Sequence, residues 1–83
     1  MTSMKNRWSR ANDNFRKQIR RLQAETEMSI EQIAEKCCIS RGCMYNYLKD
    51  CSHMEKVTER YLTILFETNG MRYDPALGEG AQA

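Results

Sequence analysis

Residues 30–49 read IEQIAEKCCISRGCMYNYLK, and apolar side chains recur there at helical spacing. Four of them share one face of a first short helix: Ile30, Ile33, Ala34 and Cys37. Ser29 stands before the run and Gln32 follows three residues later, which is the pattern of a capping box at a helix start. No proline or glycine marks the other end, so the apolar pattern alone places it near Cys37 or Cys38. We expect a short helix here, followed at once by a turn.

The second half of the same stretch predicts another short helix. Ser40 is its cap, and the helix ends at about Lys49. Its inward positions are Met44, Tyr47 and Leu48. Ala34 is small enough to let the two helix axes cross closely, and Ile39 supplies an apolar side chain that packs the turn into the core. Two short helices joined by a turn of three or four residues form a helix-turn-helix unit.

A further helix is predicted on the N-terminal side of this unit. It runs from about Asp13 to Glu25, with Asn12 or Asp13 as its cap. Its apolar stripe, at spacings of four and three, is Phe15, Ile19 and Leu22. Residues 1–12 are polar and basic without such a period, so we expect a flexible arm there.

The last helix is predicted from about Met54 to Thr68, and Asn69-Gly70 is a strong C-terminal stop. Its inward face is expected to consist of Val57, Tyr61, Ile64 and Leu65. Leu62 and Phe66 then lie on a second face. One more turn can follow around Leu77, and residues 78–83 are expected to form a disordered tail. The pattern as a whole predicts an all-α fold.

Several segments resemble one known family of DNA-binding proteins. The helix-turn-helix residues that carry the resemblance are Ile33-Ala34, Ile39-Ser40-Arg41, Met44 and Tyr47. The segments 15–22 (FRKQIRRL) and 61–65 (YLTIL) resemble the first and fourth helices of the same family. Together these residues are similar to the lambda-repressor-like, or Cro/CI-type, helix-turn-helix family of phage and bacterial regulators.

The resemblance covers about residues 14–77 and implies a compact domain of four to five helices, which we place at 13–77. It implies a sequence-specific DNA-binding transcriptional regulator, such as a Cro-like repressor of a phage, plasmid or bacterium. The family usually has glycine at the position of Cys38, because the backbone there adopts a positive φ. Cys38 is therefore expected at a positive φ, at a cost of roughly 1 kcal/mol.

The predicted third helix carries the candidate base-reading side chains. A helix in the major groove must present donors and acceptors to base edges, and Arg41 can pair with guanine and Asn46 with adenine. The expected DNA-binding positions on this helix are Ser40, Arg41, Gly42, Tyr45, Asn46 and Lys49. Gly42 allows close approach to the DNA backbone, and Ser40 can touch a phosphate. The alternative for each position is an ordinary solvated helix face.

Charge is unevenly distributed along the chain. Residues 1–21 carry seven Lys or Arg against one Asp, a net +6, whereas residues 50–83 carry a net −3. A basic end on a small domain suggests a polyanionic partner. The candidate phosphate contacts are Arg16, Lys17 and Arg20 in the first helix and Lys5, Arg7 and Arg10 in the arm. Each is equally compatible with a solvated charge.

Length and composition exclude several other classes. At 83 residues the chain has room for one domain and not for a catalytic and a regulatory one. One histidine and no paired carboxylates argue against an enzyme. Uninterrupted apolar runs are too short for a transmembrane helix, and no signal peptide precedes the domain, so a cytoplasmic location is expected. Four cysteines lack zinc-site spacing and are expected to be reduced, without metal, cofactor or small-molecule ligand.

The expected partner is double-stranded DNA with a palindromic site. Because one such domain reads few base pairs, we expect a homodimer to bind the two halves of the site. The candidate dimer residues are Leu62, Phe66, Met71, Tyr73 and Leu77. The alternative for these residues is ordinary core. The alternative function is a protein-interaction module, such as an antitoxin or antirepressor, built on the same fold.

Overall fold

Four α-helices form the fold in a computed structural model that describes residues 7–74, with side chains from Arg10 onward. The helices are α1 (Arg7–Thr26), α2 (Ile30–Lys36), α3 (Arg41–Lys49) and α4 (Lys56–Thr68). A single 3₁₀ turn at Cys51–His53 joins α3 to α4. The described part of the chain contains no β-strand, so the expected all-α class is confirmed. None of its helices is both long and apolar enough to cross a bilayer.

Helix α1 begins six residues earlier than its sequence pattern indicates. Ala11 is buried and extends the apolar stripe of Phe15 and Ile19 by one turn toward the N-terminus. Asn12 does not cap the helix: its Oδ1 accepts a hydrogen bond of 2.8 Å from the backbone N–H of Cys51. The predictions of a helix start at Asp13 and of a non-helical segment up to residue 12 are therefore wrong for residues 7–12. Tertiary packing of this first part of α1 explains the difference.

Helix α2 begins as its sequence predicts. The backbone N–H of Gln32 donates to Ser29 Oγ at 3.1 Å, and the backbone N–H of Ser29 donates to Gln32 Oε1 at 2.8 Å. The capping box is therefore complete, and it satisfies two backbone donors that have no partner inside the helix. Ile33 and Ala34 are buried against the core.

Helix α4 presents a different face to the core from the one predicted. Leu62, Leu65 and Phe66 are buried, whereas Val57, Tyr61 and Ile64 are about half exposed. The apolar residues of this helix cover more than one side, so its periodicity is compatible with several orientations. The predicted inward face is correct only at Leu65.

The segment after α4 fixes this orientation. Gly70 has a φ of 74°, and the N–H of Met71 donates to the carbonyl of Phe66 at 2.9 Å, so the chain reverses direction. Tyr73 then packs on Phe66 with ring centroids 5.1 Å apart. Asp74 is tied to α1 by two hydrogen bonds between its backbone and the Gln18 side chain, at 2.8 and 2.9 Å. Leu77 and the expected fifth turn lie outside the described residues.

The predicted dimer residues consequently belong to the core of one chain. Leu62 and Phe66 are almost fully buried and Tyr73 is 6% exposed, so their assignment to an interface between two copies is wrong. Met71 is half-buried and packs against the same core. The core residues of the described chain are Ala11, Phe15, Ile19, Leu22, Ile33, Ala34, Cys37, Met44, Cys51, Met54, Leu62, Leu65, Phe66 and Tyr73.

Candidate nucleic-acid interface

The connection between α2 and α3 holds these two helices in a defined relation. Cys38 has a φ of 60°, which agrees with the positive value that the family resemblance implies. The N–H of Cys38 donates to Glu35 O at 3.1 Å, and the N–H of Ile39 donates to Ala34 O at 3.0 Å. These two bonds are the pattern of a Schellman motif, which ends a helix and turns the chain. Ile39 packs against the core, so the turn is anchored from inside.

Helix α3 is capped at its start and packed along its inner face. Ser40 Oγ accepts a hydrogen bond of 3.0 Å from the N–H of Cys43. Met44 is fully buried, and Tyr47 and Leu48 are partly buried against the core. These contacts orient the opposite side of α3 toward solvent.

Tyr47 also connects α3 to the beginning of α4. Its hydroxyl lies near the Cys43 side chain, the Glu55 backbone and the Thr58 side chain. Burial raises the pKa of this hydroxyl above its ordinary value, and the neighbouring Cys43 side chain acts in the same direction. Tyr47 has a structural role here, as its predicted inward position implies.

The six predicted positions on α3 share the solvent side. All of them are exposed: Ser40, Arg41, Gly42, Tyr45, Asn46 and Lys49. Lys49 and Tyr45 lie one helical turn apart, and Arg41 lies one further turn toward the N-terminus. The hydroxyl of Ser40 accepts the capping bond and retains its own proton for donation outward. This side of α3 thus combines a guanidinium, an amide, an ammonium and two hydroxyl groups.

Arg41 has an acidic neighbour that sequence reasoning missed. Its Nη1 lies 3.6 Å from Glu31 Oε2 on α2, and both side chains are about two-thirds exposed. Exposed pairs of this kind contribute about 0–1 kcal/mol, so the guanidinium can leave Glu31 for a stronger acceptor. The contact depends on the turn between α2 and α3, and no local sequence signal gives it.

The described part of the chain does not require glycine at position 42. A Cβ built at this position would lie 4.0 Å from Ser40 Oγ, which is ordinary van der Waals contact. The absence of a side chain therefore leaves open space on the outer side of α3.

The basic residues predicted as phosphate contacts divide into different environments. Arg16 is partly buried, whereas Arg10, Lys17 and Arg20 are exposed on α1. Arg7 lies in the first turn of α1 rather than in an arm, and Lys5 lies outside the described residues.

Arg16 already has two partners within the chain. Its Nη1 donates to the carbonyl of Leu48 at 2.6 Å, and its Nη2 lies 2.6 Å from Asp13 Oδ1. Leu48 is in the last turn of α3, where carbonyl groups lack partners inside the helix. Arg16 therefore fastens α1 to the end of α3.

The exposed cations of α1 lie on two sides of the helix. Arg20 is one turn beyond Arg16, so it lies on the side that approaches α3. Arg10 and Lys17 are seven residues apart and therefore lie together on another side of the helix. Arg21 lies on that side too, one turn beyond Lys17. Arg21 is exposed and was not among the predicted contacts, although its four-residue spacing from Lys17 is a signal that sequence reasoning can use.

The four cysteines are free thiols. Cys37 and Cys51 are buried in the core, Cys43 is half-buried and Cys38 is exposed. Burial raises the pKa of Cys37 to about 11, and burial likewise raises the pKa of Cys51. Both are neutral near pH 7 and pack as small apolar side chains. Within residues 7–74, no group of three His, Cys, Asp or Glu side chains is arranged to hold a metal ion.

Comparison of the chain with protein families, with curated proteins and with solved structures finds no significant match. The class of the site therefore follows from its own residues: a short capped helix with an exposed polar and basic face, fixed to a second short helix.

Proposed function

We propose that this protein is a sequence-specific DNA-binding transcriptional regulator, with α3 as its recognition helix in the major groove. The observation that carries this proposal is the outward side of α3, where Arg41 and Asn46 project from a helix whose position is fixed by α2 and α1. Arginine matches the two acceptors of guanine, and asparagine matches the acceptor and donor of adenine. The family resemblance of residues 33–47 adds the expectation of a lambda-repressor-like helix-turn-helix domain.

The dimensions of α3 agree with this role. An α-helix with its side chains is about 10–12 Å across, and the major groove is about 12 Å wide, so α3 fits within the groove. Ser40 lies at the N-terminus of α3, where its hydroxyl and the first backbone N–H groups can meet a phosphate. Lys49 at the other end can meet a second one.

Gly42 gives independent support. Glycine within a helix costs roughly 0.5–1 kcal/mol relative to alanine, and contacts among residues 7–74 do not require it here. A close approach to an external surface explains why a residue without a side chain is useful here. A DNA backbone beside the first turn of α3 is such a surface.

The exposed cations of α1 supply the non-specific part of binding. Arg20 lies on the side near α3, and Arg10 and Lys17 extend the positive charge along the helix. Each phosphate that these residues neutralise releases counterions, so binding weakens as salt rises. In this proposal the domain is not an enzyme, and it acts in the cytoplasm. Two copies bind a palindromic operator, as Cro-like repressors do.

Selection of bound duplexes from a random pool tests the proposal. An enriched inverted repeat, with affinity that falls steeply between low and moderate salt, is the expected result. The matched control is the double variant Arg41→Ala/Asn46→Ala, which we expect to bind duplexes with little sequence preference. Failure of the parent protein to enrich any motif, together with no salt-dependent binding to random duplexes, contradicts the proposal.

A protein-interaction module is the second candidate, and one observation favours it. Glu31 and Glu35 are exposed one turn apart on α2, and Glu31 lies beside Arg41. These carboxylates repel phosphates at this edge and suit a basic protein partner better. This alternative would be favoured if the chain bound a protein partner, if duplex DNA did not displace that partner, and if the binding persisted as salt was raised.

A further inference from the structure

Helix α4 carries an exposed apolar stripe that the core does not use. The stripe consists of Val57, Tyr61 and Ile64, which are 48%, 40% and 50% exposed. Their spacings of four and three residues place them on one line along the helix. Only four large apolar side chains of the described residues are this exposed, and three of them are in this stripe.

Charged side chains border the stripe on one side. Lys56, Arg60 and Glu67 are exposed, and their spacings of four and seven residues place them along a single flank of α4. The positive charges lie toward the N-terminal end of the helix and the negative charge toward its C-terminal end. On the other side of the stripe, Leu65 and Thr58 lead into the buried core.

We propose that this stripe is a homodimer contact, in which α4 packs antiparallel against α4 of a second copy about a two-fold axis. The axis lies near Tyr61, so that Val57 of one copy meets Ile64 of the other. A two-fold contact brings the same flank of both helices together. Lys56 of each copy then lies beside Glu67 of the other, which pairs opposite charges at both ends of the contact, whereas Arg60 lies near the axis. A parallel two-fold arrangement would instead place this flank beside the opposite flank of the partner helix, where Thr58 and Leu65 lie, and would not form these charge pairs.

A second copy fits the stripe better than the C-terminal segment of the same chain. Residues 75–83 offer one large apolar side chain, Leu77, against three in the stripe, and they contain no Lys or Arg to meet Glu67. The stripe itself is apolar and does not suit a nucleic-acid backbone.

The size of the contact predicts how strong the dimer is. Thirteen residues of helix form a strip about 20 Å long and 10 Å wide. This is smaller than the roughly 800 Å² per partner that standard stable interfaces bury. The association is therefore weak and depends on concentration, and a paired DNA site strengthens it by holding two copies together.

The inference goes beyond the proposed function, because the contact forms with or without DNA. It is tested by sedimentation equilibrium of the full chain without DNA, over the micromolar to millimolar range. The mass should rise from monomer to dimer. Tyr61→Glu should raise the dissociation constant ~100-fold, as expected for a central aromatic residue of an interface. The control Ala24→Glu adds the same charge at an exposed position of α1 and should leave the mass curve unchanged.

A charge exchange tests the antiparallel arrangement and does not depend on the behaviour of Tyr61→Glu. Lys56→Glu and Glu67→Lys alone should each weaken dimerisation several-fold, and the double variant should restore it. Circular dichroism checks that all variants keep their helices. A parent protein that stays monomeric throughout overturns the proposal, as does a double variant whose dimerisation is no stronger than that of the single variants. Neither result affects the test of DNA binding by duplex selection.

Discussion

Arg16 of α1 donates a hydrogen bond of 2.6 Å to the main-chain carbonyl of Leu48 in the last turn of α3. The negative end of the α3 dipole and an otherwise unpaired carbonyl thus meet a guanidinium from another helix. One of the residues predicted to contact phosphate therefore positions the helix proposed to read DNA.

Replacement of Arg16 by alanine should lower the free energy of unfolding. Hydrogen bonds to charged groups contribute about 1.5–3 kcal/mol, and because the Arg16 side chain is about one-third exposed we expect a loss of about 1–2 kcal/mol. Urea denaturation measures this loss. Arg20→Ala, an identical change at an exposed position of the same helix, should cost less than about 0.5 kcal/mol. Equal stability of the two variants would mean that the contact with Leu48 contributes nothing.

Arg41→Ala should weaken binding to the selected operator by about 1–3 kcal/mol and relax the preference at one base pair. Binding to random duplexes should change far less, because a base contact contributes only at the right sequence. Titrations of both duplexes at one salt concentration measure the two effects. Lys36→Ala removes the same charge from the end of α2 and serves as the control, with little effect on either duplex. Equal losses for Arg41→Ala on both duplexes would indicate a phosphate contact instead.

Cys38→Gly should stabilise the fold by roughly 0.5–1 kcal/mol, because glycine adopts a φ of 60° without the steric cost of a Cβ. Cys38→Ala retains the Cβ and should give no such gain, which separates backbone strain from loss of the thiol. Thermal and urea unfolding of both variants measure the difference.

The converse change at the end of α4 should have the opposite sign. Gly70 has a φ of 74° in the same type of turn, and among the described residues no atom beyond its chain neighbours lies within 4 Å of a Cβ built there. Gly70→Ala should therefore cost about 1 kcal/mol from backbone strain alone. Unchanged stability at both positions would contradict the strain argument.

Phe66→Ala should destabilise the protein by about 3–5 kcal/mol, since it leaves a cavity beside Tyr73 in the core. The control Ile64→Ala removes a half-exposed side chain from the same helix and should cost less than about 1 kcal/mol at concentrations where the protein is monomeric. Chemical denaturation distinguishes them. A folded Phe66→Ala variant of near-normal stability would mean that Phe66 is outside the core.

Stability should fall at alkaline pH. The pKa of Cys37 rises from an ordinary 9.0 to about 11 in the folded protein, so the unfolded chain loses this proton first. Between about pH 9 and 11 the free energy of unfolding should fall by about 1.4 kcal/mol per pH unit from Cys37 alone. Burial raises the pKa of Cys51 and Tyr73 as well, and both act in the same direction.

Urea midpoints measured in reducing buffer at several alkaline pH values check this slope. Cys37→Ala should show a shallower decline with pH than the parent protein, whatever its stability at pH 7. Parallel declines of the two proteins would show that Cys37 does not stay protonated in the core.

Local patterns predicted the part of the chain that carries the candidate site. The start of α2 and the start and end of α3 agree with the structure, because a cap is a hydrogen bond between residues only three apart, as at Ser29 and Ser40. The positive φ of Cys38 was likewise expected from the family resemblance. The exposure of the α3 side chains followed from the buried position of Met44 and the helical period.

The beginning of α1 and the orientation of α4 depend on contacts between residues far apart in the chain. Asn12 looks like a helix cap in the sequence, but its partner is the N–H of Cys51, 39 residues away. Helix α4 has apolar residues on two sides, and periodicity alone does not determine which side faces the core. The turn at Gly70 brings Tyr73 back onto Phe66, and this packing turns Leu62 and Phe66 inward and leaves Val57, Tyr61 and Ile64 in solvent. The hydrophobic effect is non-directional, and either apolar face of a helix can be buried. Only the packing of the assembled helices therefore determines which of the two faces becomes core.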